Sequence, residues 1–347
     1  MLVESPPEQR AETAPAPPNR RAIRLVGLLV SVVILACVVV ASIAVGAKEL
    51  SLEQVWHGLF DESGTYGDVV VADRLSRTVL GLLAGAALGL AGAVLQALTR
   101  NPLADPGLLG INAGASAAVV TAITFLGVTS LSGYVWFAFF GAAAVGALVW
   151  FLGGSRGATP VRLVLAGTAI SAALYGYLQA IMILDQAALG RMRFWTVGSL
   201  ASGSPEAVRQ VAPFLLVGSL LALSLARPLN AMAMGDDTAK ALGADLNRTR
   251  ALSMLTATVL CGAATAACGP IVFVGLMVPH LVRSFTGPDL RWILPYAAIL
   301  SPVLLLGADV IGRIVARPAE LQVGIVTAFL GGPVFIFLVR RRRTAQL

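Results

Sequence analysis

Uninterrupted apolar stretches return along almost the whole chain, and the first, LVGLLVSVVILACVVVASIAVGA (Leu25–Ala47), contains no charge at all. A run of about 18 or more such residues is long enough to cross the roughly 30 Å hydrocarbon core of a bilayer. No water is available there to bond the backbone, so only helices or a closed barrel satisfy every N–H and C=O. The runs are continuous rather than alternating, which selects helices. The fold class that follows is an all-α polytopic membrane protein. Composition agrees, because the chain is 57% hydrophobic and 12% charged, whereas a soluble domain carries about 25% charged residues.

Apolar runs and their Gly and Pro breakers predict about ten transmembrane helices. They fall near residues 23–47, 77–98, 108–127, 134–152, 161–184, 208–226, 250–268, 271–286, 292–307 and 322–339. Residues 25–342 are read as one membrane domain, with a polar, disordered tail at 1–24 and a short tail at 343–347. The first tail is rich in Pro, Glu and Arg and lacks the apolar core of a signal peptide.

The net charge of +7 is distributed as a topology signal rather than as a nucleic-acid surface. Arg10, Arg20, Arg21 and Arg24 precede the first span, and Arg340 to Arg343 follow the last. With an even number of spans both basic ends lie on the cytoplasmic side, joined there by Arg100, Arg156, Arg162, Arg227, Lys240, Arg248, Arg250, Arg283 and Arg291, as the positive-inside rule requires. The first external loop, from Lys48 to Arg77, is correspondingly acidic, with Glu49, Glu53, Asp61, Glu62, Asp68 and Asp73. Gly81, Gly85 and Gly89 recur every fourth residue and give one helix a small-residue face, expected to seat another helix of the same bundle closely.

Several chemistries are excluded by what is missing. No G-x-x-x-x-G-K-[ST] cradle exists, and neither Lys48 nor Lys240 ends a glycine-rich loop, so ATP hydrolysis by that route is ruled out. No H-E-x-x-H or G-x-S-x-G pattern occurs. His57 lies in the external loop, and His280 reads as a helix-end histidine bonded to a carbonyl. Cys37, Cys261 and Cys268 sit in apolar runs and read as packing residues, not as a disulfide or metal set. No series of intramembrane carboxylates marks an ion-coupled carrier. The nearest candidates, Asp309 and Glu320, are placed in an external segment between the last two spans.

Two polar joints interrupt this apolar chain. TRNPLADPGLLGINAGAS (Thr99–Ser116) contains Asn101-Pro102 and Asp105-Pro106, each forcing the preceding residue out of the helical region. ARPLNAMAMGDDTAKALGADLNRTRALSML (Ala226–Leu255) carries helical periodicity of its own. Asp236 or Asp237 is expected to cap one short helix, Gly243 to end it, and Asp245 to cap the next. Such helices would lie flat at the membrane face and offer a knob to a soluble partner.

GAALGLAGAVLQALTRNPLADPGLLGINAGAS (Gly85–Ser116) resembles the signature of the FecCD family, the permease subunits of binding-protein-dependent ABC importers for iron-siderophores, haem and cobalamin. Further likeness lies in RLSRT (Arg74–Thr78), VRLVLAGTAIS (Val161–Ser171), RFWTVGSL (Arg193–Leu200), LGADLNRTR, GLMVPHLVR, GADVIGR and ELQVGIVTAFLGGPVFIFLVRR. QALTRNPLADPGLLG and the RFW…GSL motif are similar, more narrowly, to the family's ferric-enterobactin permeases.

The resemblance implies a BtuC-like fold of ten spans in a bacterial inner membrane, both termini cytoplasmic. It implies a second permease subunit, more often a different chain than a copy, two cytoplasmic ATPase subunits and an extracytoplasmic binding protein. ATP and magnesium would belong to the ATPase, and this chain would hold no cofactor and no metal of its own. The cargo favoured is an iron(III) catecholate siderophore, with haem or cobalamin as alternatives and an ion-coupled carrier as the alternative class. Coupling helices near 235–250 would receive the ATPase stroke through Gly235, Leu242, Gly243, Arg248 and Arg250. Arg74, Arg77 and Arg313 match basic residues that pair with glutamates of the binding protein, and Asn101, Pro102 and Leu103 match the inner gate. A second gate element is a pair of small hydroxyl residues in some members; here the matching positions are Pro160 and Val161.

Overall fold

The computed structural model describes residues 20–46, 66–128, 130–154, 160–201 and 203–343, together with Glu53 and Trp56. The expectations for the N-terminal tail up to residue 19, for most of the first external loop including His57, and for residues 344–347 lie outside these residues.

Each of the ten apolar runs is a helix: α1 (Arg20–Ala44), α2 (Tyr66–Leu98), α3 (Ile111–Phe125), α4 (Leu131–Gly154) and α5 (Pro160–Leu184) in the first half. After the short α6 (Gln186–Trp195) come α7 (Pro205–Ser224), two further short helices α8 (Ala226–Ala233) and α9 (Asp236–Ala241), then α10 (Leu246–Cys268), α11 (Val274–Thr286), α12 (Leu290–Val315) and α13 (Val323–Arg343). Seven of them, α1, α2, α4, α5, α7, α10 and α12, are long and apolar enough to cross a membrane unaided. With 15 and 13 residues, α3 and α11 reach only about 22 and 20 Å.

Those two short helices are completed by irregular backbone, which is tolerated at membrane depth only where protein surrounds it. Before α11 the chain unwinds over Gly269–Phe273, with φ of 71° and 69° at the two ends. Cys268 and Ile271 are buried there, and the Ser199 amide donates to the Cys268 carbonyl at 2.7 Å. Before α3, a single 3-10 turn (Pro106–Leu109) is capped by Asp105, whose carboxylate accepts from the Gly107 amide at 2.8 Å.

Two boundaries differ from expectation, for one reason. α2 begins at Tyr66, not near residue 77, and α12 runs on through Gly307-Ala308 to Val315 rather than ending there. Both extensions carry charges (Asp68, Asp73, Arg74 and Arg77 on α2; Asp309 and Arg313 on α12) that a hydropathy reading assigns to a loop. Asp309 is therefore a helical residue with no exposed surface, and its earlier placement in an external segment is corrected.

The bundle is built around α2, which packs against α12, α10, α11 and α7. In the most apolar windows of α2 and α10, 78% of residues are buried inside the chain, against 11% for α1 and 17% for α5. The small-residue face of α2 is what lets α12 approach. A Cβ on Gly85 would stand 2.7 Å from Pro302 Cα, and one on Gly92 would run into the Gly275 carbonyl of α11. Backbone cannot yield as a side-chain tip does, so Gly85→Ala is expected to destabilise by about 1–3 kcal/mol. The thermal midpoint of the detergent-purified protein measures it, and Gly176→Ala, whose Cβ meets open space, should leave that midpoint in place.

Candidate functional site

The elbow between α7 and α10 is a succession of short helices at one end of the bundle. α8 buries Leu229 and Met232 and leaves Met234, just beyond it, 59% exposed. Gly235 then takes φ 110°, and α9 starts. Gly243 ends α9 with φ 79°: its amide donates to the Lys240 carbonyl at 2.9 Å, and the Ala244 amide reaches the Ala239 carbonyl at 2.9 Å. That pair of bonds is a Schellman stop, as the sequence suggested. Asp245 caps α10 through the Arg248 amide at 3.0 Å, also as suggested. Leu242 is 62% exposed at the tip, and Arg248 is exposed beside it.

One expectation for the elbow is corrected. Neither Asp236 nor Asp237 caps α9, because the N-cap is Gly235 with no side-chain bond. The Asp236 carboxylate turns instead toward two arginines. Arg100 Nη2 lies 2.5 Å from its Oδ1, and Arg250 Nη2 lies 2.6 Å from its Oδ2. Burial would raise the Asp236 pKa, but the bonds and charges of Arg100 and Arg250 outweigh it and hold the carboxyl below its ordinary value. The carboxylate thus stays ionised at neutral pH.

A second tie joins the elbow to α12. Asn230 on α8 donates to Asp289 Oδ1 at 2.7 Å and accepts from the Leu290 amide at 3.0 Å. Asp289 also pairs with Arg291, whose side-chain hydrogen bonds push its carboxyl down to about 2. Its contribution to stability is present above the ordinary carboxylate range and fades only as the pH falls toward that lowered value.

The joint after α2 sits at the same end of the bundle. Asn101 Oδ1 accepts from the Leu103 amide at 3.0 Å, and the Ala104 amide returns to the Asn101 carbonyl at 3.1 Å, closing a tight turn around Pro102. Pro102 and Leu103 line an apolar cleft with Leu276, Met277 and His280 of α11 and Val334 of α13. Pro160 opens α5, where the absent N–H costs no helical bond, and Val161 beside it is 66% exposed.

At the opposite end, Arg74, Arg77 and Arg313 do meet, but not as an open basic surface. Arg74 is 7% exposed and gives Nη1 to the carbonyls of Ile43 and Ala44 at 3.0 and 2.9 Å. Arg313, 1% exposed, reaches Asp309 Oδ2 at 3.1 Å and the Ser42 carbonyl at 3.0 Å. Arg77 donates to Asp309 Oδ1 at 2.7 Å and to Glu320 Oε2 at 2.7 Å. The expectation of outward-facing docking arginines is therefore corrected for Arg74 and Arg313. Their charge is held inside the chain, where it ties α1, α2 and α12 together. Glu320, at 36% side-chain exposure, is the carboxylate that this cluster shows to solvent.

Sequence reasoning brought Gly235, Leu242, Gly243, Arg248 and Arg250 together correctly in one elbow, and Asn101, Pro102 and Leu103 in one turn. It missed the roles of Arg100 and Asp236, the pair that connects those two places. The available signal was the crowding of Arg100 against Asn101-Pro102 at the end of an apolar helix, where a bare charge calls for a partner.

The model of the FecCD transport family matches residues 33–341. The chain is 46% identical over 325 residues to the ferric enterobactin transport system permease protein FepD of Escherichia coli strain K12, covering 93% of this chain and 96% of that protein. It is 39% identical over 329 residues to the Fe(3+)-citrate import system permease protein YfmD of Bacillus subtilis strain 168, covering 94% and 98%. Among solved structures, an inward-facing ABC transporter of the metal-chelate type superposes with a TM-score of 0.82 at 28% identity, covering 91% of this chain and 99% of that one.

Proposed function

The chain belongs to the FecCD transport family, and on that premise we propose that it is the permease subunit of an ABC importer carrying an iron(III)–catecholate siderophore of the enterobactin type. The observation that carries this reading is 46% identity to a ferric enterobactin permease across 93% of the chain. The importer class rests on the family as a whole; the iron chelate rests on the ferric enterobactin and Fe(3+)-citrate permeases among its relatives, and the catecholate on the first of these.

Each part of the molecule then has a task. The elbow with exposed Met234 and Leu242 faces the cytoplasm and takes the ATPase stroke, while Gly235 and Gly243 set its two sharp turns. The start of α1 is at that end, where Arg24 packs over Trp292 near the start of α12 at 5.7 Å, and an even number of spans would return the last helix to the same side. The binding protein meets the opposite end, around Arg77 and Glu320. A second, non-identical permease subunit covers the faces that α5 and α13 leave open, including Val161, Leu165, Ile183 and Phe329. Iron is cargo, wrapped in its chelator. Nucleotide and magnesium are held by the ATPase.

A path between two such subunits works by weak contact. Alternating access releases its load only if no step holds it tightly, so small and apolar lining suits a bulky chelate better than a built pocket. The Asn101–Leu103 turn closes the inner end, its proline fixing the shape while flanking helices tilt.

The test is uptake of radio-iron-loaded enterobactin by proteoliposomes containing the chain with its partner subunits. ATP-dependent accumulation is expected, with haemin and cobalamin competing poorly. Uptake inhibited more strongly by haemin or cobalamin than by unlabelled ferric enterobactin would reassign the cargo.

A further inference from the structure

The inner turn and the elbow are separated by 136 positions in sequence and share one carboxylate. Asp236 accepts at Oδ1 from Arg100, just past the end of α2, and at Oδ2 from Arg250 near the start of α10, so one side chain bridges the inner turn and the elbow. Arg100 is held on a second side as well, since its Nη2 also donates to the Met232 carbonyl of α8 at 2.6 Å. Its own backbone stands at φ 50°, a left-handed conformation that a non-glycine residue adopts only where its surroundings impose it. The residue so fixed immediately precedes Asn101-Pro102-Leu103.

We propose that Asp236 is a positioning residue that transmits elbow displacement to the inner gate, through a two-armed ion pair with Arg100 and Arg250. This rests on the reading of the elbow as the place where the ATPase acts.

The geometry distinguishes transmission from mere support. A carboxylate at the start of a helix is favourable toward the helix dipole, and Asp237 would serve that purpose equally well one position along. Only Asp236 reaches both arginines, and neither of its oxygens caps α9. Half-exposed ion pairs add little to stability; the side chains of Arg100 and Asp236 are 44% and 38% exposed. A carboxylate with both oxygens engaged by separate guanidiniums nevertheless fixes direction. When α9 shifts, Arg100 is drawn with it, and the turn at Pro102 follows.

The experiment uses the assembled complex in proteoliposomes and reads radio-iron enterobactin accumulated per ATP hydrolysed, alongside thermal midpoint. Asp236→Asn is expected to keep the parental midpoint and lose about tenfold in uptake per ATP. Asp236→Glu should recover a substantial part of it, and Asp237→Asn should match the parent. Arg100→Gln removes the same tie from the gate side and substitutes for Asp236→Asn if that variant does not assemble. The double variant Arg100→Gln/Asp236→Asn should be no worse than the poorer single one. Parental uptake per ATP in Asp236→Asn, or an additive loss in the double variant, would overturn the proposal. Absence of ATP-driven uptake in the parent complex would instead overturn the importer reading beneath it.

Discussion

Asp309→Ala is expected to cost the fold about 3–5 kcal/mol, the penalty for leaving a buried charge without its counter-ion. Asp309 has no exposed surface and stands between Arg77 at 2.7 Å and Arg313 at 3.1 Å. Removing it strands Arg313, itself 1% exposed, with the Ser42 carbonyl and hydroxyl as its remaining neutral partners. Arg77 keeps Glu320 and is harmed less. Asp309→Asn should be nearly as damaging, since the amide fits the space but supplies no charge. The companion Asp309→Leu/Arg313→Leu should recover part of the loss, because burying neither ion avoids desolvating either. Thermal unfolding of the purified protein in detergent measures all three. A midpoint for Asp309→Ala indistinguishable from the parent would show that this cluster does not hold the three helices together.

That cluster also shows how far the sequence could be read. Run length and composition were enough to place ten helices, because hydrocarbon allows no other way to satisfy the backbone over such stretches. The same reasoning failed at Tyr66 and at Val315, where α2 and α12 continue beyond their apolar windows. Their polar ends are helical because Arg77 and Asp309, 232 positions apart, neutralise each other, and no local pattern announces such a pairing. The elbow divides in the same manner. Gly243 and Asp245 were legible, since a C-terminal glycine and an N-capping aspartate act on backbone a few residues away. Asp236 was misread as a cap because its partners are 136 and 14 positions distant. Capping chemistry is local and leaves a local trace; a charge shared across the bundle does not.

The second large effect concerns function and lies at the elbow tip. Leu242 is 62% exposed and closes α9 against no part of the chain that needs its side chain for packing. A large apolar residue in that position costs little to the fold when replaced, yet seating a leucine side chain in an apolar partner pocket is worth about 1.5–3 kcal/mol. If the ATPase docks at the elbow as proposed, Leu242→Asp would set a hydrated charge against its surface and is expected to reduce ATP-driven uptake about thirtyfold or more, the equivalent of about 2 kcal/mol. The parental midpoint should be retained, which separates a lost contact from a lost fold. Gly243→Val should act at the same place by a different route, since φ 79° excludes a branched side chain and the turn into α10 would reset.

On the proposed reading this chain is a conduit moved from its elbow by a separate nucleotide-hydrolysing subunit. The most direct measurement is uptake of radio-iron-loaded enterobactin by proteoliposomes containing the parental or the Leu242→Asp complex, with ATP inside and the ATPase quantified in the same vesicles. Accumulation is expected in the parent, and near-background uptake, with depleted ATPase, in the variant. Parental accumulation in Leu242→Asp with the ATPase fully retained would contradict that reading.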